Sequence, residues 1–314
     1  MKTPLRPELA NWLRYYNELV EELECEGFVD TPETARQGLA KLTATLVSDS
    51  PDLASVTNTF VESLAGAIPL RIYNPAPDLS CNLLVYLHGG GHMAGSIEVY
   101  DPICRKLALA TGRIVVSVDY RLAPEHPYPA GLEDAEAAIR QLFSVLAAQG
   151  VDFTRRLALC GDSGGGAMVA TLAHQLQGDP DVEIEHQILI YPSLDYTMQQ
   201  PSIEENGRGY LLHSDKIRWY FDQYFQGGED RQPVSPLNME ITSRMPATLV
   251  VTAGYDPLLD EALAYLKRLD QVNVSHQQLH FSDQLHAFLN MEDVTTAACR
   301  EFYRGADQFL RSRN

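Results

Sequence analysis

Trp12, Leu13, Tyr16, Leu19, Val20 and Leu23 recur three and four residues apart, the spacing of one helix face. Leu39, Leu42 and Leu46 predict a second helix, after the start signal Thr31-Pro32. No strand pattern is visible in residues 1–50. From about residue 55 the texture changes, and β-type segments alternate with helical ones. Strands are predicted at 56–63, 68–73, 82–88, 113–119, 156–161, 186–191, 247–253 and 274–281. Helices are predicted at 100–111, 132–149, 164–177, 258–270 and 293–311. Several strands, LLVYL and IVVSV among them, are unbroken apolar runs, the mark of a parallel sheet covered on both faces. Alternating β and α segments imply an α/β fold with a mostly parallel sheet of about eight strands.

The stretch 196–242 breaks this alternation. It carries Gly207 and Gly209, then Trp219, Tyr220, Phe221, Tyr224 and Phe225. It is long for a plain loop. The expectation is that 1–50 and 196–242 form a helical cap over a catalytic domain made of 51–195 and 243–314. Ordinary core packing by the aromatics is the competing reading.

The chain has 314 residues and a formal net charge of −18. Nucleic-acid backbones are gripped mainly by Lys and Arg, so this acidity argues against nucleic acid as a partner. No apolar run approaches the roughly 18 to 20 residues of a membrane span. The five cysteines are scattered without a C-x-x-C pair, and the first residues lack the apolar core of a signal peptide. The expectation is a reduced, cytoplasmic protein with no bound metal.

Two glycine-rich turns carry the chemistry. Gly161-Asp162-Ser163-Gly164-Gly165 has the G-x-S-x-G pattern that lifts a serine out of a tight strand-to-helix turn. Such turns also bind phosphate, but no Lys follows the glycines as it would in a P-loop. His88-Gly89-Gly90-Gly91 follows an apolar strand, and its backbone N–H groups could hold an oxyanion. A serine nucleophile needs a base and an orienting acid, in the chain order Ser, acid, His. His286 lies in a loop after the last strand. Asp256 lies just past strand 247–253, with Asp260 and Glu261 a turn later and expected to point elsewhere. Of the other histidines, His174, His186, His276 and His280 fall in or beside helix and strand, and His213 falls in the cap.

These motifs resemble the hormone-sensitive-lipase-like family of α/β-hydrolase esterases, the bacterial lipolytic group with an HGGG motif. Four segments carry the likeness: His88–Gly91; Asp119-Tyr120-Arg121-Leu122-Ala123-Pro124-Glu125 with Pro127, Pro129 and Ala130; Gly161–Gly166; and Asp256-Pro257-Leu258 with Asp260-Glu261, joined by His286. The match spans about residues 55–314. Gly164 stands where the family often has Ala, and Ala287 follows the base where the family often has Gly.

The resemblance implies an α/β-hydrolase fold with helices on both faces. It implies a serine carboxylesterase acting on short- to medium-chain esters, with Ser163, Asp256 and His286 as triad. Gly90, Gly91 and Gly164 would donate to the oxyanion, with Gly89 shaping the turn. His88, Trp219 and Tyr220 are candidate substrate contacts. Asp162 and the DYRLAPE stretch would brace the site. No metal or organic cofactor is implied, and the partner is a small-molecule ester. Oligomeric state stays open, dimers through the last strand and C-terminal helix being common in the family. The alternatives are a non-catalytic small-molecule binder on the same fold, or an amidase or acyltransferase. A binder tends to lose the base, whereas all three triad residue types are present here.

Overall fold

Leu83, Val85 and Leu87 turn to one face of the central sheet, and Leu84 and Tyr86 to the other. This period of two, with both sets buried, is why the run reads as continuously apolar. The structure is a computed structural model describing residues 2–312; Met1, Arg313 and Asn314, the outermost positions of the two terminal segments, lie outside the described residues. Its strands are β1 (Ser55–Ser63), β2 (Gly66–Asn74), β3 (Cys81–Leu87), β4 (Ile114–Val118), β5 (Phe153–Asp162), β6 (Ile184–Ile190), β7 (Ala247–Tyr255) and β8 (His276–Leu285). They lie in the order β1-β2-β4-β3-β5-β6-β7-β8. β1 and β2 form a hairpin, β2 runs antiparallel to β4, and the remaining pairs are parallel. The predicted strands all exist, with ends moved by a few residues.

The helices are α1 (Pro7–Cys25), α2 (Pro32–Leu46), α3 (Ile97–Thr111), α4 (Ala130–Ala148), α5 (Gly164–Leu176), α6 (Ser202–Glu205), α7 (Ser214–Tyr224), α8 (Arg231–Val234), α9 (Leu259–Gln271) and α10 (Glu292–Arg311). α4, α5 and α9 bury their apolar sides on one face of the sheet. α3 and α10 bury theirs on the other. At the start of α2, Thr31 Oγ1 accepts from Thr34 N–H while Thr34 Oγ1 accepts from Thr31 N–H, a reciprocal cap worth about 1 kcal/mol.

Two smaller clusters join the remaining segments to the sheet. Leu9 and Leu13 of α1 pack with Tyr255, Leu285 and Met291. Ile217, Phe221, Tyr224 and Phe225 pack with Met93, Ala123 and Leu258. The aromatics of 196–242 thus divide: Phe221, Tyr224 and Phe225 are core, while Trp219 and Tyr220 are partly exposed. Among the described residues no helix is long and apolar enough to cross a membrane.

Candidate active site

β3 and β5 are adjacent and parallel, with Leu87 opposite Gly161. The turn after β3 and the turn after β5 therefore leave the sheet side by side. Gly165 must be glycine here, because a Cβ on it would fall 2.1 Å from the Leu87 carbonyl oxygen. Between them Ser163 is held at φ 51°, ψ −120°, a conformation that costs of order 1–3 kcal/mol in a non-glycine residue. Its carbonyl accepts from Ala167 and Ser193 N–H, and its own N–H donates to Ile190. These bonds fix the strained turn at the amino terminus of α5, whose partial positive charge favours an anion.

β7 ends at Tyr255 and delivers Asp256; β8 ends at Leu285 and delivers His286. Ser163 Oγ lies 2.9 Å from His286 Nε2, and His286 Nδ1 lies 2.8 Å from Asp256 Oδ2. An ionised Asp256 accepts the Nδ1 proton, which leaves Nε2 as acceptor for the Ser163 hydroxyl. Asp256 is 1% exposed; its other oxygen accepts from Leu258 N–H at 2.8 Å, and its carbonyl accepts from Asn206 Nδ2 at 2.9 Å. Asp260 and Glu261 point away: Asp260 accepts from Ser202 N–H, and Glu261 from Leu194 and Asp195 N–H.

Asp162 is buried and accepts from Gly89 N–H (2.7 Å), Tyr86 Oη (2.8 Å) and Tyr100 Oη (3.0 Å). Burial pushes its carboxyl up to about 6, against the opposing pull of those three bonds. The Gly89 N–H is therefore already spent, and Gly90 and Gly91 are the loop residues left to serve an oxyanion. The amide end of the loop reaches α5: a Cβ on Gly164 would lie 3.3 Å from Gly91 N and 3.1 Å from His92 N.

A cavity of about 680 Å³ opens above these groups. Ser163, Gly164, Gly90, Gly91 and His286 form its floor, and α1, α2 and α7 form its walls. Tyr220 closes down on the glycine loop after β3, since a Cβ on Gly91 would come within 2.7 Å of its ring. Trp219 and Tyr220 line the cavity. His88 does not. It is fully buried, stacked between the rings of Tyr100 and Tyr120 at 5.5 and 4.4 Å, with Nδ1 2.9 Å from the Gly89 carbonyl. It supports the loop from below and cannot touch a ligand in the cavity, which corrects its assignment as a substrate contact. Burial also lowers its pKa. Among the described residues no group of three or more His, Cys, Asp or Glu is placed to hold a metal ion.

The sequence profile of the Abhydrolase_3 family, described as alpha/beta hydrolase fold, matches residues 84–290. The chain belongs to the hormone-sensitive-lipase-like group of α/β-hydrolase esterases. It is 33% identical to an ethyl acetate hydrolase of Pseudomonas putida over 94% of this chain and 95% of that one. It is 35% identical to esterase LipI of Mycobacterium tuberculosis over 88% and 87%. Among solved structures it superposes on the ester-hydrolase EH1AB1 from the metagenome of Lake Arreo with a TM-score of 0.88, 31% identity and 98% of each chain covered.

Within this α/β-hydrolase the DYRLAPE stretch bonds to the elements around the site. Asp119 accepts from Ile97 N–H, Tyr120 Oη donates to the His88 carbonyl at 2.6 Å, and Arg121 forks onto Asp134. Three participants escaped the sequence reading. Arg36 of α2 donates to the carbonyls of Met93 and Ala123 and to Glu125, tying the N-terminal helices to the glycine loop after β3 and to the DYRLAPE stretch. His92 stacks on Tyr224 at 3.9 Å, and burial holds its pKa down at about 3, so the ring is neutral. Ser193 lines the cavity with its hydroxyl unpartnered among the described residues. None carries a local motif; each acts across dozens of residues of chain.

Proposed function

We propose that this protein is a serine carboxylesterase that hydrolyses short- to medium-chain carboxylic esters by two acyl transfers. It is a carboxylic ester hydrolase, as its relatives are; the residue roles rest on one observation. Ser163, His286 and Asp256 form an unbroken hydrogen-bonded line of 2.9 and 2.8 Å. Ser163 Oγ attacks the ester carbonyl while His286 Nε2 takes its proton and Asp256 steadies the imidazolium. The carbonyl oxygen becomes an oxyanion, held by the N–H groups of Gly90, Gly91 and Gly164. The C–O bond to the alcohol breaks, and His286 protonates the departing oxygen. Water then attacks the acyl-serine, giving its proton to His286. Collapse of the second tetrahedral intermediate returns Ser163 and releases the acid.

Residues 2–50 and 196–242 act as the cap, bounding the cavity with Trp219 and Tyr220 in its wall. Bounded walls favour modest substrates over bulk lipid. The solved relative from Lake Arreo is complexed with a derivative of bipyridine phosphonate. Phosphorus in a phosphonate is tetrahedral, the shape that the proposed oxyanion site is built to receive.

The test is hydrolysis of p-nitrophenyl esters from acetate to palmitate, with Ser163→Ala alongside. Labelling by an ethyl p-nitrophenyl phosphonate, read by mass spectrometry of peptides, locates the nucleophile. Turnover peaking at the shorter chains, absent in the variant, with the adduct on Ser163, is expected. An adduct on another residue, or full activity of Ser163→Ala, would overturn the assignment.

A further inference from the structure

α1 is divided along its length. Its first half is anchored, with Leu9 and Leu13 buried against Tyr255 and Leu285. Its second half turns Tyr16, Leu19, Val20 and Leu23 into the cavity, where no core cluster among the described residues takes them up. Across the same cavity α2 presents Ala35, Gly38, Leu39 and Leu42, again at helical spacing. Two apolar stripes thus border one space that the protein itself does not fill.

Gly38 stands out in the second stripe. It lies inside α2, where glycine weakens a helix relative to alanine. Such a residue ordinarily answers to a backbone or packing demand. Gly38 answers to neither: its φ lies outside the left-handed region, and a Cβ on it would meet no atom within 4 Å. It is exposed where α2 borders the cavity, and what its missing side chain leaves there is open room.

We infer that Gly38 is a specificity-determining position, which by lacking a side chain keeps a trough between α1 and α2 open for the longer apolar arm of the ester. This rests on the ester-hydrolase reading above. The occupant is a hydrocarbon arm, whether acyl or alcohol. A methylene lodged there leaves water for the apolar walls, and each one contributes to kcat/KM only while the trough stays open.

The test uses the full chain with Gly38→Leu and Gly38→Trp, and Gly38→Ala as the small control. Two substrate series separate the arms: p-nitrophenyl acetate, butyrate, octanoate and laurate, and the acetates of ethanol, hexanol and decanol. The quantity read is the ratio of kcat/KM for each longer ester to that for the shortest of its series. In one series the ratio falls about tenfold or more in Gly38→Leu and further in Gly38→Trp, while Gly38→Ala follows the wild type. The series that responds names the arm. Circular dichroism and thermal unfolding establish that the variants fold, and Gly38→Leu carries the test should Gly38→Trp not fold. Ratios unchanged in both series overturn the inference, including when all rates drop together. So does a wild-type enzyme that turns over only the shortest ester of each series. A wild-type protein inactive on every ester is a different result: it defeats the proposed function, and the role of Gly38 falls with it.

Discussion

Asp162 holds Gly89. The residue immediately before Ser163 in sequence accepts the Gly89 N–H at 2.7 Å, so the serine turn grips the glycine loop after β3. Asp162→Ala would strand that amide together with the hydroxyls of Tyr86 and Tyr100 in a dry interior. At about 1–3 kcal/mol per orphaned buried donor, the loss should reach roughly 3 kcal/mol or more. Urea unfolding measures it. A loss below about 1 kcal/mol would mean that the loop does not depend on this carboxylate.

The same carboxylate has a pH signature. Its pKa rises from 3.8 to about 6 on folding, so the folded state binds the proton more tightly. The stability this contributes is complete below the ordinary value and is lost as pH rises through about 6. The wild type should therefore lose stability relative to Asp162→Asn between about pH 4 and pH 6, the reverse of a salt-bridged carboxylate. Unfolding free energies of the two proteins across that range decide it; parallel curves would refute the burial argument.

Ser163 combines reactivity with strain. Ser163→Ala should lower kcat by about 10⁵–10⁶-fold, and Asp256→Asn by about 10⁴-fold. Ser163→Gly should be equally inactive yet more stable than the wild type by about 1 kcal/mol, because only glycine occupies φ 51°, ψ −120° freely. Thermal unfolding of the Ala and Gly variants side by side isolates the backbone effect. Equal midpoints would argue against stored strain.

Arg36 and Glu125 form an ion pair whose acid is more than half exposed. Pairs of that kind contribute at most about 1 kcal/mol. The bonds from Arg36 to the Met93 and Ala123 carbonyls, both 2.9 Å, lie in less exposed surroundings and are charge-assisted, worth about 1.5–3 kcal/mol each. Glu125→Gln should thus be nearly silent, while Arg36→Ala loosens the oxyanion loop and lowers both stability and kcat. Equal effects of the two changes would show that the ion pair, and not the carbonyl clamp, matters.

The sequence made the framework and the line from Ser163 to Asp256 readable, because each element has its own periodicity and each of these groups sits at a strand end. It misplaced His88, which lies two and three residues before the cavity residues Gly90 and Gly91 but whose ring turns under the loop between Tyr100 and Tyr120. It gave Gly89 the shaping of the turn, and only three dimensions reveal that Asp162 is what takes its N–H. Arg36 bonds to residues 57 and 87 positions away, a reach that no local pattern encodes. Gly38 gave no signal of its own in the sequence, and its place beside the cavity appears only in three dimensions.

The opposition of Leu87 and Gly161 has an architectural consequence. The reacting atoms are indexed to the pitch of the sheet: a shift of one position between these two strands would turn every side chain to the wrong face and carry the serine away from its loop. The segments that wall the cavity hang outside that index, before β1 and between β6 and β7. Their cavity-facing positions can be reshaped while the spacing of the three hydrogen-bonded groups stays as it is, provided that the bonds from Arg36 to Met93 and Ala123 and from Asn206 to Asp256 are kept. New substrate ranges can therefore be reached by grafting at two seams in the chain, with no need to reinvent the reaction.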